Sequence, residues 1–254
     1  MQLHDCLISF PKNADSLDQD EEWILLTSED QQKKIRLHDY GELYSIPGLY
    51  EEVVYTRLKC DSPRVISSML KKEVETGDPE ALRVLDFGAG NGMVGECLEQ
   101  KIGCDALVGV DIIPEAVSAT SRDRPGLYDD YYMMDLCDIG KDEADALTKW
   151  KFNTLVTIAA LGYGDIPSRA FVNAFNLLED GAWIAFNIKD RFLTEEDGSG
   201  FKQTLDTMFD RCLQILQSER YCHRLSMAGD PLHYVAIVGR KISDVEVSSS
   251  SPAQ

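Results

Sequence analysis

Asp86, Gly88, Gly90 and Gly92 stand at alternate positions in Val84-Leu85-Asp86-Phe87-Gly88-Ala89-Gly90-Asn91-Gly92. Apolar Val84 and Leu85 belong in a sheet interior. The glycines let the chain turn sharply and approach a ligand closely. A helix beginning near Met93 would aim unpaired N–H groups over that turn. A dinucleotide loop reads G-x-G-x-x-G; here the third position would be Met93, and the spacing is G-x-G-x-G with an acid inside the strand end. A pyrophosphate has no use for a carboxylate beside it, whereas a cationic amino-acid moiety or a sulfonium tolerates one. Asp86, Gly88, Ala89, Gly90, Asn91 and Gly92 are therefore expected to bind a ligand of that kind. A tight strand–helix turn with no ligand is the plain alternative.

Further candidates lie just past the next strands. Asp111 ends Val108-Gly109-Val110-Asp111-Ile112, about 20 residues beyond the loop, where a carboxylate accepts from both hydroxyls of a ribose. It could equally cap the helix opening at Pro114. Asp135, followed by Leu136, is placed to accept from an adenine amino group with Leu136 against the ring, although Tyr131, Tyr132, Met133 and Met134 read equally well as strand packing. Ala159 opens the segment Ala159–Pro167, expected to form the wall nearest the reacting atoms. Tyr163 and Asp165 are possible acceptor contacts there, or Gly162 and Gly164 only shape a turn while Asp165 caps a helix. Asn187 and His233 each offer a polar group. Tyr163, Asn187 and His233 are the catalytic candidates. No Ser-His-Asp or metal-ligand constellation has persuasive spacing, so no metal is expected.

The elements that must position these residues alternate. Strands are expected at Arg83–Phe87, Ala106–Asp111, within Asp130–Asp135, and at Asn153–Ala159 and Ala182–Asn187. Helices are expected over Met93–Lys101, from Pro114 to about Ser121, and over Asp142–Trp150, Ser168–Leu178 and about Gly200–Gln217. Arg220–Met227 and His233–Arg240 read as two strands whose link, Ala228-Gly229-Asp230-Pro231, is too short for a helical crossover. They should be antiparallel. The pattern implies an α/β fold: a mainly parallel sheet covered on both faces, with ligands beyond the carboxyl ends of its strands. Residues 1 to about 30 read as a loosely ordered acidic lead-in. The pattern is helical from about Ser28 to Glu75, with Pro63 at a first helical position and a stop at Thr76-Gly77-Asp78-Pro79. The expected organisation is a lead-in and cover over 1–78, a ligand-binding domain over 79–243 and a disordered tail over 244–254.

Composition narrows the function. The 254 residues carry a net charge of -19, and no basic run occurs. Nucleic-acid binding relies on clustered Lys and Arg, so a DNA or RNA partner is not expected, nor an anionic membrane surface. No apolar stretch approaches the roughly 20 residues needed to span a bilayer. The seven cysteines are scattered with no C-x-x-C. Reduced thiols, a cytoplasmic location and no signal peptide are the expectation.

Taken together, Asp86–Gly92, Gly109-Val110-Asp111 and the closing strand pair resemble the class I S-adenosylmethionine-dependent methyltransferases. A narrower likeness is to the methyltransferase-like proteins related to the one of the Williams–Beuren chromosomal region. It is carried by Ser62-Pro63-Arg64, Arg124-Pro125-Gly126-Leu127-Tyr128 and Gly162–Pro167, and covers about residues 50 to 190. The resemblance implies a Rossmann-like seven-stranded sheet with an antiparallel last strand, and a mobile N-terminal helical cover over S-adenosylmethionine. Tyr40, Tyr44, Tyr50 and Tyr55 stand in that cover in place of a Tyr-Asp-x-Trp-Ala pattern. The implied activity is in-line methyl transfer to a small-molecule acceptor. An NAD(P)-dependent oxidoreductase, which Met93 argues against, and a non-catalytic cofactor-binding scaffold are the competing readings.

Overall fold

A computed structural model describes residues 3–29, 31–77, 81–162, 165–194 and 198–246. A seven-stranded sheet forms the body. Its strands are β4 (Arg83–Phe87), β5 (Ala106–Asp111), β6 (Asp130–Met133), β7 (Thr154–Thr157), β8 (Trp183–Lys189), β9 (Leu213–Leu225) and β10 (Pro231–Lys241), in the spatial order β6-β5-β4-β7-β8-β10-β9. The first five are parallel. β10 lies antiparallel to both β8 and β9. The order reverses beside β4, so the carboxyl ends of β4, β5 and β7 open onto one crevice, the usual ligand position in such sheets.

Alternation along the strands explains both cores. In β4, Val84 enters the cluster with Ile66, Leu70 and Leu98, whereas Leu85 and Phe87 enter the opposite cluster with Phe171, Phe175 and Phe186. Strands buried on both faces read as continuous apolar runs, as these do. The helices α2 (Ser62–Thr76), α3 (Met93–Lys101), α4 (Pro114–Asp123), α5 (Lys141–Thr148), α6 (Ser168–Asn176) and α7 (Phe201–Thr207) complete the body.

Residues 3–29 and 31–37 differ from the loose lead-in expected to about residue 30 and from the helical pattern expected from about Ser28. They form a three-stranded antiparallel sheet of β1 (Leu7–Ser9), β2 (Trp23–Thr27) and β3 (Gln32–Arg36). β3 buries Ile35 alone among its residues, so its sequence carries no alternating signal. Its order comes from pairing with β2, whose Ile24 and Leu26 are buried. A helix α1 (Tyr40–Ser45) and a π-helix (Glu51–Arg57) follow. These elements share a small core around Leu43, Leu49 and Val53, and together make the cover.

A second correction falls near the end. The helix expected to Gln217 is α7 plus a π-turn over Met208–Cys212, and the chain is already strand from Leu213. Leu213 pairs with Lys241, while Ile215 and Leu216 stay exposed, so tertiary pairing overrides a helical period here. Of the expected tail, Val245 is buried and its N–H donates to Asn176 Oδ1 (2.9 Å). Residues 247–254 lie outside the described residues.

Candidate active site

The glycine loop turns where β4 ends. Gly88, Gly90 and Gly92 take φ of +76°, +55° and +88°, a region that side chains other than glycine rarely adopt. The Gly88 and Ala89 N–H groups donate to Val110 O (2.9 and 3.2 Å). Gly90 O accepts from Thr120 Oγ1 on α4 (2.8 Å) and from the Tyr131 hydroxyl on β6 (2.7 Å). A side chain at Gly88 would meet Ala160 Cβ and Ile166 Cδ1 at 2.9 Å, so only a bare backbone fits between these neighbours.

Asp111 sits at the carboxyl end of β5. Its Oδ2 accepts the Gly90 N–H (2.8 Å) and its Oδ1 the Ile113 N–H (3.0 Å). The alternative of a helix cap is not what forms: the N-cap of α4 is Ile113, with no side-chain cap bond, and Asp111 closes a local turn ahead of it while gripping the loop. Burial raises its pKa, and the backbone N–H groups of Ile113 and Gly90 oppose the rise by favouring the charged form.

A cavity of about 280 Å³ opens beside these groups. Of the residues expected to bind a ligand, Gly88, Asp111, Ile112, Asp135, Leu136 and Ala159 line it. Asp135 Oδ1 accepts the Cys137 N–H (2.8 Å), which fixes the carboxylate at the cavity edge. Ala159 has φ of +59°, unusual outside glycine, and its N–H donates to Asn187 Oδ1 (2.6 Å). The amide of Asn187 donates to the Tyr221 hydroxyl (2.7 Å) and Ser62 Oγ (3.2 Å). Asn187 therefore stands behind the wall and holds it, rather than facing the cavity.

Other expected residues lie off the wall. Asp86 is fully buried beneath the loop, where its Oδ2 accepts from the Tyr128 hydroxyl (2.7 Å). Burial pushes its carboxyl up to about 7, against Tyr128 and the Gly95 N–H. Its Oδ1 has no hydrogen-bond partner. Ala89 is buried, and Gly92 takes the position before α3. Asn91 donates to Glu51 Oε1 (3.0 Å) in the cover. Glu51 Oε1 also receives Arg124 Nη1 (2.7 Å), so one carboxylate ties cover to loop. His233 pairs with Cys222 across the β9–β10 ladder and is absent from the cavity lining. Tyr163 lies outside the described residues.

The cavity region adds His38 and His223, which the sequence did not point to, to the cover tyrosines and Asp165, which it did. His38, Tyr40, Tyr44 and Tyr50 of the cover close it from above. The Tyr44 hydroxyl lies directly over Gly90. Burial holds the hydroxyls of Tyr40, Tyr44 and Tyr50 well above their ordinary value, so all three are neutral. Asp165, after β7, accepts from Tyr40 (3.3 Å) and faces His38 Nδ1 (3.2 Å). A smaller space of about 40 Å³ continues past His38, Tyr40 and Ala159 toward His223, Arg224 and Tyr234. His223 Nδ1 lies 2.6 Å from Ser62 Oγ. Burial, then the charges of Arg224 and Lys189, hold that imidazole well below its ordinary pKa. No local pattern marks His38 or His223, because each is brought in by long-range packing. Among the described residues, no group of three or more His, Cys, Asp or Glu could hold a metal ion.

Strand order, glycine loop and acidic strand ends define a nucleoside-binding α/β body. Residues 57–229 match the family described as Methyltransferase domain, and the chain belongs to that family. Among solved structures, the fold is similar to the N-methyltransferase NodS from Bradyrhizobium japonicum WM9, crystallised with S-adenosyl-L-homocysteine. The TM-score is 0.54 at 14% identity, over 81% of this chain and 97% of that one. It is also similar to a S-adenosylmethionine-dependent methyltransferase from Clostridium acetobutylicum, with a TM-score of 0.53 at 12% identity, over 77% and 96% of the two chains. No curated protein matches the chain in sequence.

Proposed function

We propose that the chain is an S-adenosylmethionine-dependent methyltransferase acting on a small-molecule acceptor. Asp111 carries this reading. Each of its oxygens already accepts one backbone N–H, which fixes the carboxylate on the cavity wall and leaves acceptor capacity on both oxygens. Two adjacent hydroxyls of a ribose suit that arrangement. The residues present fit the cofactor: the bare backbone at Gly88, the ribose-facing Asp111, and Asp135 with Leu136 and Met134 as a polar and apolar edge for adenine.

When bound, the cofactor supplies an activated methyl group on a sulfonium. The chain's own part is to orient and to exclude water. The loop and Asp111 hold the nucleoside, Ala159 presents the wall fixed by Asn187, and the tyrosines of the cover keep the space above Gly90 dry. The narrower kinship to the Williams–Beuren-related proteins belongs to the same proposal. It is supported by Ser62-Pro63-Arg64, where Ser62 joins the buried network behind Ala159. A cytoplasmic location belongs to the same proposal, supported by the scattered spacing of the cysteines. Among the described residues, no helix is long and apolar enough to cross a membrane.

Isothermal titration with S-adenosylmethionine and S-adenosylhomocysteine tests the reading. Binding of both is expected. Binding of neither at millimolar ligand overturns it, and NADH fluorescence enhancement on mixing would turn the reading to the oxidoreductase.

A further inference from the structure

We propose that the acceptor is a small amine, bound as its ammonium ion, and that Asp165 is its anchor. Before methyl transfer one proton would pass from the ammonium to the Asp165 carboxylate, freeing the nitrogen lone pair for the new C–N bond while the electron pair of the broken C–S bond stays on sulfur. The inference rests on the cofactor reading above and names the acceptor class for the same site.

The charge on the cavity walls comes first. The larger cavity presents Asp111, Asp135 and Asp165 and has neither Lys nor Arg among its described lining residues. The smaller space has Arg224, but that guanidinium is buried and paired to Glu22 at 2.6 Å. With Asp111 and Asp135 given to the cofactor, an acceptor carboxylate or phosphate would meet the Asp165 carboxylate and, among the described lining residues, no uncommitted Lys or Arg. An ammonium meets the opposite field.

Aromatic geometry comes second. Tyr40 and Tyr44 stack with centroids 6.1 Å apart. Tyr50 stands edge-on to both, at 6.4 and 4.9 Å. All three line the cavity. A cation that reaches the face of one of these rings is attracted to it, the more so where water is excluded.

Asp165 joins these features. It lines both spaces, so it marks their junction, on the segment that follows β7 beside Ala159 and Ala160. Among the described residues its side-chain partners are His38 Nδ1 at 3.2 Å and the Tyr40 hydroxyl at 3.3 Å, both long contacts. They aim the carboxylate while leaving acceptor capacity for a shorter, charge-assisted bond from an ammonium. His38 and Tyr40 precede residue 57, where the family match begins. Asp165 itself lies within the matched residues, so the cover contributes the two groups that aim the anchor, not the anchor.

The test uses the full chain loaded with S-adenosylhomocysteine and two matched probe trios: 2-phenylethylamine, 2-phenylethanol and phenylacetate; and propylamine, propanol and propionate. Calorimetric titration should show the amine of at least one trio binding about tenfold or more tightly than its alcohol and its carboxylate. Asp165→Asn should remove that preference and leave the affinity for S-adenosylhomocysteine unchanged. Equal binding within both trios, preference for an alcohol or carboxylate, or no amine binding to the loaded protein overturns the proposal. The wild-type comparison decides this even if Asp165→Asn fails to fold. Failure of S-adenosylhomocysteine itself to bind is a separate outcome, and it overturns the cofactor reading.

Discussion

Asp86 and His223 are buried groups with opposed shifts, and the opposition can be measured. Burial raises the Asp86 carboxyl to about 7. Burial and nearby cations hold His223 well below the ordinary imidazole value. Between about pH 4.5 and 6 the unfolded chain has Asp86 ionised and His223 protonated. The folded chain has Asp86 protonated and His223 neutral. Each state holds one proton on the pair, so the pair adds no slope to stability against pH in this window. Asp86→Asn leaves His223 alone. The unfolded state then binds one proton more than the folded state, and the variant gains about 1.4 kcal/mol per pH unit relative to wild type as pH rises. His223→Gln leaves Asp86 alone. The folded state then binds one proton more, and the variant loses about 1.4 kcal/mol per unit relative to wild type. Urea unfolding across the window reads both slopes. Packing changes shift each variant by a constant, which leaves the slopes intact. A profile parallel to wild type for Asp86→Asn would refute the protonated buried carboxyl; a parallel profile for His223→Gln would refute the neutral imidazole.

Three further outcomes are expected. Asp111→Ala should weaken S-adenosylhomocysteine binding about 100-fold, from two charge-assisted bonds of roughly 1.5 kcal/mol each; calorimetry showing a change under roughly threefold removes the ribose role. Asn187→Ala orphans the Ala159 N–H and opens a small void, at a cost of about 3 kcal/mol. Scanning fluorimetry should find Tm lower by roughly 6–12 °C in a chain of this size, and an unchanged Tm would free Ala159 from that amide. Glu22→Gln withdraws the charge opposite Arg224 and weakens the bond to the Met227 N–H. It should lower stability by about 3–5 kcal/mol in urea, more than an exposed pair such as Lys71–Glu75 could.

The body was legible in the sequence because β4 and β5 are short, mostly apolar runs, one followed by Gly88 and the other ending in Asp111, and its helices have clear starts. Arg83–Phe87, Met93–Lys101 and Ala106–Asp111 have the expected bounds. Asp111 was legible for the same reason: a strand end in a parallel sheet is a position with chemical meaning. The cover was not. Its β3 strand has one buried residue, and its helix α1 spans only Tyr40–Ser45, so neither gives a period to read. His38 reaches Asp165 across 127 positions, and His223 reaches Ser62 across 161. Such pairs exist only once the topology is known. His233 is a candidate from the sequence, and His223 is not. The β9–β10 register separates them, taking one to the cavity and pairing the other with Cys222.

The joint between cover and body has a mechanical consequence. Lys59 takes φ of +59°, and main-chain bonds pin both sides of it: Leu225 N–H to Leu58 O (2.7 Å) and Asp61 N–H to His223 O (3.0 Å). That joint is stiff. The π-helix just before it holds one residue more per turn than an α-helix. Were that turn to tighten to α geometry with Lys59 fixed, everything ahead of it would rotate by about 100°. Tyr50 and Glu51 ride on that segment. A one-residue slip there would swing a tyrosine off the cavity roof and release the grip on Asn91.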